Sequence, residues 1–201
     1  MRTRVVGTAL ATLILMASAY ADAVFTKGDH HTAGEENVLF THHMEGTTID
    51  GLTNRSKTPI FFSSKTDTLV ASGGQSDIDA MDGLVNDITI TVPGHTFLDF
   101  VLNPFKVGAK DDLLVSVALS DGKTETFTYG DTHGDNFLTV TTKNGEQIDS
   151  ITIDSKSGFQ GLKQPRISGI SGVIVVPEPS SMLLLGSGIL GLAQVLRRKK
   201  L

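Results

Sequence analysis

The chain has no cysteine, no tryptophan and only two tyrosines in 201 residues. Without cysteine there is no disulfide, no thiolate metal site and no thiol nucleophile. Without tryptophan the commonest stacking platform for sugars is missing, leaving Tyr129 and the phenylalanines as rings. Between the two ends no ten-residue stretch shows an apolar stripe at helical spacing. There is no nucleophile elbow, no P-loop and no H-E-x-x-H. Positive charge is also short. Of 17 basic residues six lie at the ends, while all 22 acidic ones lie between Asp22 and Glu178. A body with 11 basic and 22 acidic residues repels nucleic acid and anionic lipid. Carboxylates are numerous enough for a glycosidase-type pair, but acidic residues on a β-rich surface usually serve solvation, so no enzyme is expected.

What is present is concentrated at the two ends. Residues 1–21 have Arg2 and Arg4, then the apolar run 5–16, then small residues, the anatomy of a secretory signal peptide. Ala19-Tyr20-Ala21 fits the small-x-small rule, with cleavage after Ala21; Ala19 and Ala23 are alternative cleavage points. At the other end Pro177-Glu178-Pro179 precedes an uncharged stretch, 182–196, and then Arg197, Arg198, Lys199 and Lys200. The segment from Pro179 to Leu196 would make a helix of about 27 Å, slightly short of a bilayer core of roughly 30 Å. It spans with local thinning or with Arg197 and Arg198 snorkelling. A transmembrane helix over 180–196 is expected, with the basic end 197–200 held cytoplasmic. Pro177 and Pro179 keep the preceding segment extended, a form that a protease can read. Gly186-Ser187-Gly188-Ile189-Leu190-Gly191 matches G-x-G-x-x-G, but no βαβ unit follows, so these glycines read as small faces on a membrane helix.

The Pro-Glu-Pro sequence, short apolar helix and basic end over 177–201 closely resemble the PEP-CTERM sorting signal. This resemblance implies recognition by an exosortase-type processing enzyme, removal of the tail, and release to the surface or extracellular polysaccharide of a Gram-negative bacterium. The inner membrane is the partner before processing.

Between the labels, an arm over 22–37 precedes a single domain over 38–176. Short runs rich in β-branched and aromatic residues predict strands near 38–41, 47–52, 59–63, 68–71, 76–80, 87–92, 96–102, 112–119, 124–129, 137–142, 147–154 and 166–175. Ile88, Ile90 and Val92 share one face, as do Leu113, Val115, Val117 and Leu119, and Ile151 with Ile153. Asp121-Gly122 and Asn144-Gly145 predict type I′ hairpin turns; Asn103-Pro104 predicts a longer one. The pattern predicts an all-β antiparallel β-sandwich, jelly-roll or galactose-binding-like. Five stretches, 51–54, 60–63, 134–137, 148–153 and 164–169, are also similar to the bodies of many PEP-CTERM proteins, which tend to be sandwiches of these types.

Candidate metal ligands are few. Asp131, Asp135 and Asn136 gather oxygens in one loop that suits calcium, although Asp, Gly and Asn are turn formers as well. No other cofactor is expected. Asp77, Asp79 and Asp82 form a second acidic run, but Met81 occupies an EF-hand ligand position and the distal Glu is missing. Asp77 and Asp79 read instead as the wet face of a strand with Ile78 inward. His30-His31 and His42-His43 each place at most one inward ligand, so they read as surface histidines. The expected function is an exported, exosortase-sorted surface or exopolysaccharide-associated protein with a non-catalytic body. The alternative is a carbohydrate-binding or adhesive module, with a secreted hydrolase third.

Overall fold

The structure is a computed structural model that describes residues 23–73, 76–107, 112–130 and 136–171. Residues 1–21, where a signal peptide is expected, and the apolar tail lie outside these residues. Among the described residues no helix is long and apolar enough to cross a membrane.

The strands are β1 Ala23–Lys27, β2 Glu36–Leu39, β3 Met44–Gly46, β4 Thr48–Thr53, β5 Pro59–Ser63, β6 Leu69–Ala71, β7 Asp77–Ala80 and β8 Val85–Thr91. They continue as β9 Asp99–Leu102, β10 Pro104–Val107, β11 Leu113–Leu119, β12 Thr124–Tyr129, β13 Leu138–Thr142, β14 Ile148–Lys163 and β15 Arg166–Ser168. The fold is all-β, and every pairing between strands is antiparallel. The sheet runs β1-β13-β9-β15-β2-β4-β5-β8-β14-β7-β6-β3 and curls on itself, with β11, β12 and β10 branching from β14.

Alternation decides which face is buried. Ile88, Ile90, Val115, Val117, Ile151 and Ile153 are fully buried and meet Phe62, Phe97, Phe100 and Phe159 in one core. Phe40 and Phe62 pack at 5.7 Å between centroids, Phe97 and Phe100 at 5.9 Å. Each such side chain contributes about 1.5–3 kcal/mol by leaving water.

Strand β14 organises the body. Its first half lies between β8 and β11, and its second half between β7 and β10. The halves are offset by a bulge: Asp154 faces Asp87 but Phe159 faces Val85. Gly158, at φ +76°, allows that bend. The sequence reading stops this strand at 154, because Ser155-Lys156-Ser157-Gly158 has turn chemistry.

Several expectations are corrected. The segment read as an arm over 22–37 contributes β1, which pairs with β13, and the start of β2, which joins β15 to β4. Sparse apolar residues hid these strands, since they are only partly buried. Asn103-Pro104 opens β10, with Pro104 as first residue, where a missing N–H is tolerated. At Asp121-Gly122 only Gly122 has positive φ, +85°. Gly122 N–H donates to the Leu119 carbonyl at 2.9 Å, so a three-residue loop with a bulge replaces the type I′ turn. Asn144 and Gly145 do have φ of 57° and 79°, as type I′ requires. They connect β13 and β14, however, which are not paired with each other.

Gly161 sits under β7. A Cβ there would collide with Asp79 Oδ1 and lie 2.5 Å from the Ile78 carbonyl oxygen. Gly161→Ala is therefore expected to lower stability by about 1–3 kcal/mol, the usual cost of overpacking. An unchanged denaturation midpoint would contradict this close approach of β7 and β14.

Candidate functional site

The acidic run on β7 falls as its alternation dictates. Ile78 is fully buried, while Asp77 and Asp79 face outward. Burial, then repulsion from Asp77, pushes the Asp79 carboxyl up, and Lys163 opposes this. Lys163 Nζ stands 3.8 Å from Asp77 and 4.1 Å from the centre of the Phe105 ring. This acidic pair thus already has its cation.

Of the candidate calcium ligands, Asp131 and Asp135 lie outside the described residues. Asn136 is buried; its backbone N–H donates to Asn103 Oδ1 at 2.8 Å and its Nδ2 to the Pro104 carbonyl at 3.0 Å. The asparagine ties the start of β13 to the β9–β10 corner.

The histidines separate. His42 and His43 are exposed, and His42 Nδ1 lies 3.0 Å from Thr41 Oγ1. His31 joins a cluster that sequence spacing did not reveal. Ligand atoms of Asp29, His31 and Glu35 lie within 4.8 Å of one another. Such a set suits a metal ion, but Arg166 from β15 already occupies it. Its Nη2 donates to Asp29 Oδ1, and its Nε stands 3.4 Å from Glu35 Oε1. His31 Nδ1 lies 2.8 Å from Glu35 Oε2. A guanidinium among two carboxylates supplies the countercharge that a metal would bring, so the cluster clamps residues 29–35 onto β15.

A concave site lies beside the β14 bulge. Its volume is about 300 Å3, and Thr66, Asp87, Asp112, Leu114, Asp154 and Lys156 are among its lining residues. Behind it is a polar network that the sequence reading missed. Asp87 Oδ1 accepts from Ser64 Oγ at 2.9 Å, from Thr66 Oγ1 at 2.5 Å and from Thr66 N–H at 3.1 Å. Its Oδ2 accepts from Lys65 N–H at 3.0 Å. Asp67 answers in the other direction, with Oδ2 accepting from Asn86 N–H at 2.8 Å and Oδ1 from Asn86 Nδ2 at 3.1 Å. Burial pushes both carboxyls up, but these donors outweigh it and hold both below the ordinary carboxylate value. The only sequence signal was the turn chemistry of Ser64-Lys65-Thr66-Asp67 between two apolar runs.

Two carboxylates of depressed pKa, held by backbone donors, suit anchoring of the β5–β6 connection. Neither is tuned up to act as a general acid near neutral pH. The pocket mouth, with Asp112, Asp154, Lys156 and the 42% exposed Leu114, offers polar contacts around one apolar patch.

No curated protein and no solved structure matches the chain. The family described as the PEP-CTERM protein-sorting motif matches residues 175–200. These take in Pro177, Glu178, Pro179, the apolar run and Arg197–Lys200, all of them outside the described residues. A motif of this class is recognised by an exosortase and marks a chain for export, with its C-terminal end anchored in the membrane before processing. By this match the chain is a protein bearing a PEP-CTERM sorting motif.

Proposed function

We propose that this protein is exported, trimmed by an exosortase-type enzyme and released to the cell surface or the extracellular polysaccharide, where its β-sandwich body acts without catalysis. The sorting motif over 175–200 carries the reading. Supporting it, the buried carboxylates Asp67 and Asp87 are engaged by main-chain donors. The acidic body also suits a hydrated, uncharged gel better than a polyanion. A second reading, a carbohydrate-binding module, is favoured by the pocket at the β14 bulge.

In a host with the cognate enzyme, the mature protein is expected to lack both residues 1–21 and the apolar tail. Intact mass spectrometry of the extracellular fraction reads this directly. A surface form still ending at Leu201 would overturn the proposal.

A further inference from the structure

Strand register produces a feature that neither the sorting tail nor the pocket uses. Thr48 pairs with Ser63, Ser63 with Thr89, Thr89 with Thr152, Thr152 with Ser116, and Ser116 with Thr126. Six adjacent strands, β4, β5, β8, β14, β11 and β12, therefore place one hydroxyl residue each in a single row. Their neighbours Ile49, Phe62, Ile88, Ile151, Val115 and Val117 are buried, so the row faces outward. Thr48 and Thr126 are exposed and the four between them half-buried. Thr89 Oγ1 and Thr152 Oγ1 lie 2.9 Å apart.

The margins of the row differ in chemistry. Two residues along β5 stands Phe61, 37% exposed and paired with Thr91. On the opposite side, Asp87 pairs with Asp154, and both line the pocket described above. A ring, a band of hydroxyls and a concave carboxylate margin thus share one continuous face.

That face selects its partner. None of the six positions in the row carries charge, in a chain with 22 acidic residues. Nucleic acid requires a basic footprint, and protein-interface hot spots are enriched in tryptophan, tyrosine and arginine, none of which stands in the row. A hydroxyl both donates and accepts, which matches a partner built of hydroxyls. Strand spacing of about 4.8 Å sets the repeat of the row, and an extended β-linked hexose chain advances by nearly this length per sugar. Adjacent strands turn by roughly 20°, a twist that a polymer with rotatable linkages can follow. Phe61 supplies a face for a sugar ring, and Asp154 an acceptor for vicinal hydroxyls.

We propose that this face docks an extended, uncharged polysaccharide along the row Thr48-Ser63-Thr89-Thr152-Ser116-Thr126, one sugar per strand, with Phe61 and Asp154 at its margins. The inference rests on the reading of the body as a non-catalytic, polysaccharide-associated module.

Affinity electrophoresis tests it, using the purified full-length chain in mild non-ionic detergent. Gels contain hydroxyethyl cellulose, a mixed-linkage β-glucan, galactomannan or, as the charged control, polygalacturonate. At least one neutral glycan is expected to retard the chain, and polygalacturonate is not. Thr152→Val/Ser116→Ala/Thr126→Val, which removes hydroxyls and keeps strand-forming shapes, should weaken retardation at least tenfold. Thermal melting checks that this variant folds; should it unfold, Thr126→Lys, a single exposed change, decides by weakening retardation or leaving it intact. Absence of retardation by all neutral glycans, equal retardation of the folded variants, or stronger retardation by polygalacturonate would each overturn the inference. Because the chain is tested unprocessed, a failure of sorting leaves this result untouched, and absent retardation leaves the sorting result standing.

Discussion

Replacing both Leu184 and Leu185 by Asp is expected to release the unprocessed chain from the membrane fraction. Both residues lie within the matched sorting motif, in the uncharged run 182–196. An aspartate near the centre of a membrane helix costs about 2.5–3.5 kcal/mol on insertion scales. The run is barely long enough to span, so it has no spare apolar length with which to shift register. Fractionation after an alkaline wash, in cells without the processing enzyme, makes the comparison with the unaltered chain. A doubly substituted chain that still sediments with membranes would show that something other than the apolar run holds it. Replacing Arg197 and Arg198 by Gln serves as the contrast, since it alters orientation signals and leaves the apolar run whole.

The tail was legible because its information is local: a proline pair, an uncharged run and four basic residues need no partner elsewhere in the chain. The buried faces of β8, β11 and the first half of β14 were legible for a related reason. Ile88 and Ile90, Val115 and Val117, and Ile151 and Ile153 alternate with residues left toward solvent, and period two reads directly as a strand. Strand β1 was hidden because Ala23, Val24 and Phe25 are only partly buried and sit next to a polar, histidine-rich stretch. Ser155-Lys156-Ser157-Gly158 looks like a turn, yet the chain passes through it as a bulge, because β8 and β7 hold the two halves of β14 in one sheet.

Nonlocal arrangements could not be read from the chain. Arg166 reaches Asp29 across 137 positions, and nothing near Arg166 announces two carboxylates. The hydroxyl row is the extreme case. Each of its residues is an ordinary polar position on its own strand, and only register across six strands aligns them. A feature composed of one residue per strand leaves no spacing motif in the sequence.

Asp87→Ala is expected to destabilise the body by about 1–2 kcal/mol, the lower part of the roughly 1–3 kcal/mol that a buried donor stripped of its acceptor costs, because the donors on Lys65 and Thr66 are only partly buried. The donors left behind are the N–H groups of Lys65 and Thr66, with the hydroxyls of Ser64 and Thr66 free to turn elsewhere. Asp87→Asn keeps one carbonyl oxygen and should cost less, which separates loss of shape from loss of charge. It should also change the response to acid. Burial acts against ionisation of Asp87, but the Thr66 hydroxyl, Lys65 N–H, Ser64 hydroxyl and Thr66 N–H together hold its carboxyl below the ordinary value of 3.8. Below that value the unfolded chain binds a proton that the folded chain still refuses. Stability from this group is therefore complete above the ordinary value and drains away as pH falls through the lower folded one. Asp67 contributes with the same sign. Asp79 and Asp149, pushed up by burial and then by Asp77 and Glu146 respectively, take up protons more readily when folded and oppose the loss. Melting temperatures between about pH 5 and pH 3 should fall less steeply for Asp87→Asn than for the unaltered protein. Parallel slopes would mean that the charge on Asp87 contributes nothing, and that only the geometry of its oxygens holds the β5–β6 connection against β8.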